Sequence, residues 1–145
     1  MSGVSFWDVF GIIADGVGLI SFAFSLPTFF IAQSTKKAIE SHVEKKEFSE
    51  NIDETIRELR SYYNLIADEK VYDEEILNSI IKTIDAIKIN YSSVLKPYKK
   101  DINKLKNMCE SAVTHLEKHP DYNRRDVEKK MNIVINELEK GKRRV

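Results

Sequence analysis

The chain contains 145 residues, the length of one domain, and 42% of them are hydrophobic, which is enough for a buried core. Its 23 Lys and Arg residues balance 23 Asp and Glu residues, and a net charge of zero argues against a general nucleic-acid coat. The single cysteine, Cys109, excludes an internal disulfide framework, and four of the five glycines lie within the first 18 residues, which excludes P-loop and Rossmann folds. We find no catalytic motif and therefore predict no enzyme, no cofactor and no small-molecule substrate.

Residues 9–32 form an apolar run whose single charged residue is Asp15. A helix of this length extends about 36 Å, enough to cross a hydrocarbon layer of about 30 Å. Three interpretations compete: a membrane span, a cleaved signal peptide and a buried helix in a soluble oligomer. No Lys or Arg precedes the run, and Phe30 occupies the position that requires a small residue for cleavage after Ala32. We predict a transmembrane helix within residues 1–33 and a second domain over residues 34–145.

The basic residues that flank the run lie on one side only, where Lys36 and Lys37 follow it directly. Because Lys and Arg remain on the cytoplasmic side of a membrane, the N-terminus is expected outside and residues 34–145 inside. The single thiol agrees with a reducing compartment. The predicted location is therefore a bacterial inner membrane, crossed once.

Small residues recur within the run at alternating three- and four-residue spacings, the period of a left-handed helix seam. They are Gly11, Ala14, Gly18, Ser21, Ser25 and Thr28. Small residues let helix backbones approach closely in lipid, so this seam predicts a homo-oligomer within the bilayer. Asp15 lies beside the seam, and two interpretations stay open: it lines a watery lumen, or it sits shallow and reaches the membrane interface.

Beyond residue 37, apolar residues recur at helical spacing and no strand pattern competes. The first helix covers residues 52–66 and can continue from the span as a stalk. Asp73 is the expected N-cap of the second helix, the third ends near Pro120, and Gly141 stops the fourth. The predicted fold class is all-α, with one N-terminal transmembrane helix followed by a cytosolic bundle of about four helices.

Charge is segregated along the chain: residues 38–75 hold twelve acids and five bases, net −7, and residues 76–145 hold sixteen bases and nine acids, net +7. Either the two halves neutralise one another, within or between chains, or the basic half binds RNA, an acidic protein or anionic lipid headgroups. The cations that we single out for such a surface are Arg124, Arg125, Lys129, Lys130, Lys140, Lys142, Arg143 and Arg144.

Several residues suggest sites for which a structural role is the better interpretation. His115 and His119 have the spacing of two metal ligands on a helix, but cations near a helix C-terminus more often interact with its dipole. Cys109 lies in an apolar row and is expected in the core. The tyrosines are expected at core edges rather than as stacking platforms for bases: Tyr62, Tyr63, Tyr91, Tyr98 and Tyr122. We predict no metal site.

The layout of residues 9–32, then Lys36 and Lys37, then helices throughout resembles the small membrane accessory protein of type VI-B CRISPR systems. The resemblance implies a helical bundle related to HEPN domains and a ring-shaped oligomer that perturbs the inner membrane. HEPN ribonucleases use an Arg followed a few residues later by His. Arg57 and Arg60 have no such His, so the resemblance implies no nuclease activity.

These patterns lead to two functional hypotheses. The first is a homo-oligomeric membrane effector, pore-forming or depolarising, in a bacterial antiphage defence system. The alternative is a membrane-anchored adaptor whose helical bundle binds a protein or RNA partner. The expected partners are the chain itself, the lipid bilayer and a cytosolic protein or RNA.

Overall fold

A computed structural model describes the backbone from Phe6 onward and the side chains of residues 31–145. Over this part of the chain it contains four α-helices and no strand: α1 (Phe6–Ala67), α2 (Glu74–Asn90), α3 (Lys99–His115) and α4 (Arg124–Arg144). A one-turn 3₁₀ helix, Lys96–Tyr98, lies between α2 and α3. The prediction of an all-α helical bundle is confirmed.

The fold-class prediction is wrong in one part, the N-terminal transmembrane helix. Among the residues that the structure describes, no helix combines the length and the apolar character that crossing a membrane requires. From residue 33 onward, α1 carries charged side chains at short intervals, which interrupts any apolar stretch. The apolar run that prompted the prediction falls mainly on residues 6–30, whose side chains lie outside the described part.

The chain divides into two compact units, Met1–Glu40 and Ser41–Val145. The second unit contains the helical bundle, with its core, its ion pairs between helices and its cavities. The predicted domain boundary after residue 33 stays a prediction.

The start of α2 shows how local sequence sets a helix boundary. The Asp73 side chain accepts a hydrogen bond from the Ile76 N–H at 2.9 Å, and Glu74 and Glu75 occupy the first turn. The carboxylate satisfies a free N–H group, and acids near a helix N-terminus interact favourably with its dipole. The predicted N-cap is confirmed.

The core is built from one apolar stripe on each helix. Since fully burying an Ile, Leu, Val or Met side chain contributes about 1.5–3 kcal/mol, these stripes dominate the stability of the bundle. Their fully buried members include Phe48, Ile52, Leu59 and Ile66 of α1, Leu77, Ile80 and Ile84 of α2, Leu105 and Cys109 of α3, and Val127, Met131 and Leu138 of α4. The expected core position of Cys109 is confirmed.

The predicted end of α4 at Gly141 is wrong, because the helix continues to Arg144 and Gly141 lies within it, buried. A Cβ atom at this position would lie 3.1 Å from Cε2 of Tyr98 and 3.6 Å from the Phe48 ring. The glycine therefore permits close packing of two aromatic rings and does not stop the helix. The third helix, in contrast, ends earlier than expected, at His115 rather than near Pro120.

Candidate binding surfaces

The predicted basic residues all lie on α4, but they do not form one surface. Arg124 pairs with Asp121 at 3.2 Å, and Lys130 donates a 2.7 Å hydrogen bond to Asp101 of α3. Lys142 pairs with Asp53 of α1. These three cations are therefore paired with acids of their own chain.

Four of the other cations share the outward side of α4. Arg125, Lys129, Lys140 and Arg143 are exposed, and their spacings of four, eleven and three residues keep them on one side of the helix. No ion pair within residues 31–145 involves any of the four. The α4 basic face comprises these cations with the exposed Asn132, Ile133 and Asn136 between them. Ile133 is 43% exposed, and Asp126 and Arg144 lie at the edge of the face.

An acidic counterpart lies on the outward side of α1. Glu47, Glu50, Glu54 and Glu58 are exposed and follow one another at helical spacings of three and four residues. With the exposed Asn51 they form the α1 acidic face, and Arg57 lies at its edge. Glu50 lies 4.0 Å from Lys46, and Glu58 accepts a hydrogen bond from the Tyr62 hydroxyl at 2.8 Å.

Ion pairs between helices show how little the two charged halves neutralise one another inside one chain. Within residues 31–145 the pairs that join different helices are Asp53–Lys142, Arg60–Glu139, Asp85–Lys106 and Asp101–Lys130. Only Asp53–Lys142 joins an acid of residues 38–75 to a base of residues 76–145. The opposite charges of the halves therefore remain mostly on exposed faces.

The α3–α4 contact contains a polar cluster built from Asp101, Lys130 and Glu137. The Lys130 ammonium lowers the pKa of Asp101, whereas burial, together with the nearby Asp101 carboxylate, raises the pKa of Glu137. In the described part of the chain, the buried Oε2 atom of Glu137 has no hydrogen-bond partner. The cluster thus favours the ionised form of Asp101 and disfavours the ionised form of Glu137.

The His115 ring contacts neighbouring groups of its own chain. Its ring stacks on that of Tyr122 with centroids 4.3 Å apart, and its Nδ1 atom lies 2.7 Å from the Ser111 carbonyl oxygen. No group of three His, Cys, Asp or Glu side chains in the described residues is arranged to hold a metal ion. Burial, and secondarily the charge of Glu110, raises the pKa of the Cys109 thiol to about 12, so this thiol is unreactive at neutral pH.

The tyrosines line the edges of the core, which confirms the structural interpretation of these rings. All six pack partly buried against it: Tyr62, Tyr63, Tyr72, Tyr91, Tyr98 and Tyr122. Rings held in this way are poorly placed to stack on nucleic-acid bases.

The predicted seam of the N-terminal run lies outside the residues whose side chains are described. It comprises Gly11, Ala14, Gly18, Ser21, Ser25 and Thr28, with Asp15 beside it.

A cavity that the sequence analysis missed lies between the end of α2 and the start of α3. It has a volume of about 250 Å³ and is lined by Lys88, Ser92, Leu95, Lys96, Lys99 and Ile102, a set that we call the lysine pocket. The lysines on both sides of Pro97 were the available signal in the sequence. Their meeting with Lys88 depends on how the chain turns between the two helices.

No family model, no curated protein and no solved structure matches this chain. The resemblance to the CRISPR accessory protein therefore stays a prediction.

Proposed function

We propose that the chain is a self-associating helical adaptor in which the α1 acidic face of one copy binds the α4 basic face of another. The observation that carries the proposal is that both faces are exposed and opposite in charge. Within residues 31–145, only Asp53–Lys142 pairs an acid of residues 38–75 with a base of residues 76–145. The adaptor hypothesis is retained without its membrane anchor. The pore-forming hypothesis requires a transmembrane helix and is not part of the proposal.

The two faces match in length as well as in sign. Glu47 and Glu58 are eleven residues apart, and so are Lys129 and Lys140. Eleven residues of helix extend about 16 Å, so two facing helices can place both pairs of charges opposite one another. Ile133 lies between the two lysines and supplies an apolar contact at the centre.

Energetics indicate a weak contact that depends on salt. An exposed ion pair contributes about 0–1 kcal/mol, while association costs about 4–15 kcal/mol in lost freedom of motion. A contact between two different faces leaves a free face on each copy, so it builds rings or open chains. Closure of a ring gives each copy two contacts, which strengthens the assembly by multivalency.

Self-association is favoured over RNA binding by the composition of the surface. The α4 basic face contains no aromatic ring, and the tyrosines of the described bundle are engaged with the core. The net charge of the whole chain is zero, which also argues against general nucleic-acid binding. A different acidic protein could occupy the same face, and a charge-swap experiment distinguishes it from a second copy of the chain.

The charge swap uses the full-length chain in non-ionic detergent. One variant carries Glu47→Lys and Glu54→Lys, and the other carries Lys129→Glu and Lys140→Glu. In each variant alone, like charges face one another at the contact, so the average mass of the assembly measured by light scattering should fall. An equal mixture of the two variants should restore it. The control exchanges two exposed charges elsewhere, Lys82→Glu and Glu117→Lys.

The parent chain should also lose mass when salt rises from about 0.05 M to about 0.5 M, because screening shortens the reach of exposed charges. If both variants alone keep the mass of the parent chain, the α1–α4 contact is refuted. If both lose mass and the mixture does not recover it, the two faces do not pair with one another, and self-association through the α1–α4 contact is refuted.

A further inference from the structure

We propose that the lysine pocket binds a small phosphate monoester with an organic group, of the size of a nucleoside monophosphate. This site is separate from the α1 and α4 faces and does not depend on self-association through them. The proposal is based on the lining of the cavity, on its charge and on the way its wall is held in place.

The floor of the cavity is apolar and belongs to the core. Leu95 is 3% exposed and Ile102 is 1% exposed, so both side chains are fixed by their packing. A cavity of about 250 Å³ lies just below the range typical of small-molecule sites, which is about 300–1,000 Å³. This size suits a small ligand, and the floor favours one with an apolar or aromatic group.

The rim of the cavity is positively charged. Lys88 comes from the last turn of α2, Lys96 precedes Pro97, and Lys99 is the first residue of α3. No acidic side chain lines the cavity, and no ion pair within residues 31–145 involves these three lysines. Lysine ammonium groups bind phosphate as point charges, and three like charges at one cavity repel one another until an anion neutralises them.

The wall of the cavity is held by hydrogen bonds that a ligand need not supply. The carboxylate of Glu44 accepts hydrogen bonds from the N–H groups of Ser93 and Val94, next to Ser92 of the pocket. The Leu95 N–H donates to the Tyr91 carbonyl at 3.0 Å, and the Tyr98 N–H donates to the Leu95 carbonyl at 2.9 Å. Because the wall is ordered before binding, less conformational entropy is lost when a ligand binds.

The test uses the full-length chain and three probes: AMP, adenosine and inorganic phosphate. Isothermal titration should show that AMP binds more tightly than either adenosine, which lacks the phosphate, or inorganic phosphate, which lacks the organic group. The double variant Lys96→Gln and Lys99→Gln should weaken AMP binding at least about tenfold, as expected for the loss of charge-assisted hydrogen bonds. Its thermal melting should match that of the parent chain, since both side chains are exposed.

Lys100→Gln is the matched control, because Lys100 is exposed and adjacent but does not line the cavity. It should leave AMP binding within about twofold of the parent chain, a small free-energy change. The Lys129→Glu and Lys140→Glu variant should also bind AMP normally, so failure at either site is distinguishable. The proposal is refuted if AMP does not bind, if phosphate binds as tightly as AMP, or if Lys100→Gln weakens binding as much as the double variant.

Discussion

Glu44 of α1 accepts two hydrogen bonds from Ser93, one from the backbone N–H at 2.8 Å and one from the hydroxyl at 2.6 Å. A third reaches the same carboxylate from the Val94 N–H at 3.1 Å. Burial alone would raise the pKa of Glu44, but these hydrogen bonds outweigh it and the pKa lies below its usual value. The contact fastens the connection between α2 and α3 to α1, and that connection forms the wall of the lysine pocket.

Glu44→Gln should destabilise the bundle by about 1 kcal/mol at pH 7, because hydrogen bonds to a charged acceptor are stronger than those to a neutral one. A carboxyl whose pKa is lowered by folding stabilises the folded state above its unfolded pKa, and this contribution is lost as pH falls through the folded pKa. Urea unfolding at pH 7 and at about pH 3 measures the difference, which should shrink at the acidic pH. Glu47→Gln, one turn along on the exposed side, is the control and should change the free energy of unfolding at pH 7 by less than about 0.5 kcal/mol, as is usual for surface substitutions.

Glu137→Gln should stabilise the bundle by about 1 kcal/mol at pH 7, since it removes a partly buried charge whose Oε2 atom has no partner in the described structure. Folding raises the pKa of this carboxyl, first through burial and then through Asp101. Its ionisation therefore costs stability above the folded pKa, and the cost disappears as pH falls below the unfolded pKa. A stability gain that persists unchanged at about pH 3, where the carboxyl is protonated in both states, would contradict this account.

Gly141→Val should lower the free energy of unfolding by about 1–3 kcal/mol, the usual cost of overpacking a core. Replacing glycine by alanine within a helix usually raises the free energy of unfolding by about 1 kcal/mol. Gly141→Ala should raise it by less, because the added Cβ would lie 3.1 Å from the Tyr98 ring. Thermal melting of both variants measures the effect. The exposed Asn136→Ala serves as the control for helix propensity on α4.

Ile133→Asp should weaken self-association about tenfold without lowering the melting temperature, because it places a negative charge at the centre of the α4 basic face, opposite the α1 acidic face. Sedimentation at several protein concentrations gives the dissociation constant. Ile89→Asp is the matched control, since Ile89 is 80% exposed on α2 and belongs to neither face. Equal weakening by both variants would show that exposed apolar surface, rather than the α4 basic face, drives association.

The sequence by itself determined the features of this protein that depend on neighbours within a turn or two. The Asp73 cap, the apolar periods of the helices and the core position of Cys109 were predictable, because helix caps and amphipathic stripes are local patterns. The net charge of each half could also be predicted from the sequence. Which charges would pair was not, because that depends on which helices become neighbours.

Only the tertiary structure decided the role of Gly141. Glycine is common at helix ends, but here it lies within α4 and the Tyr98 and Phe48 rings pack against it. It also separated Lys130, which pairs with Asp101, from Lys129, which remains exposed although adjacent in sequence. The lysine pocket arises in the same way, because Lys88 reaches Lys96 and Lys99 only through the turn that Glu44 holds. Contacts between residues far apart in sequence follow from packing, which a local pattern does not encode.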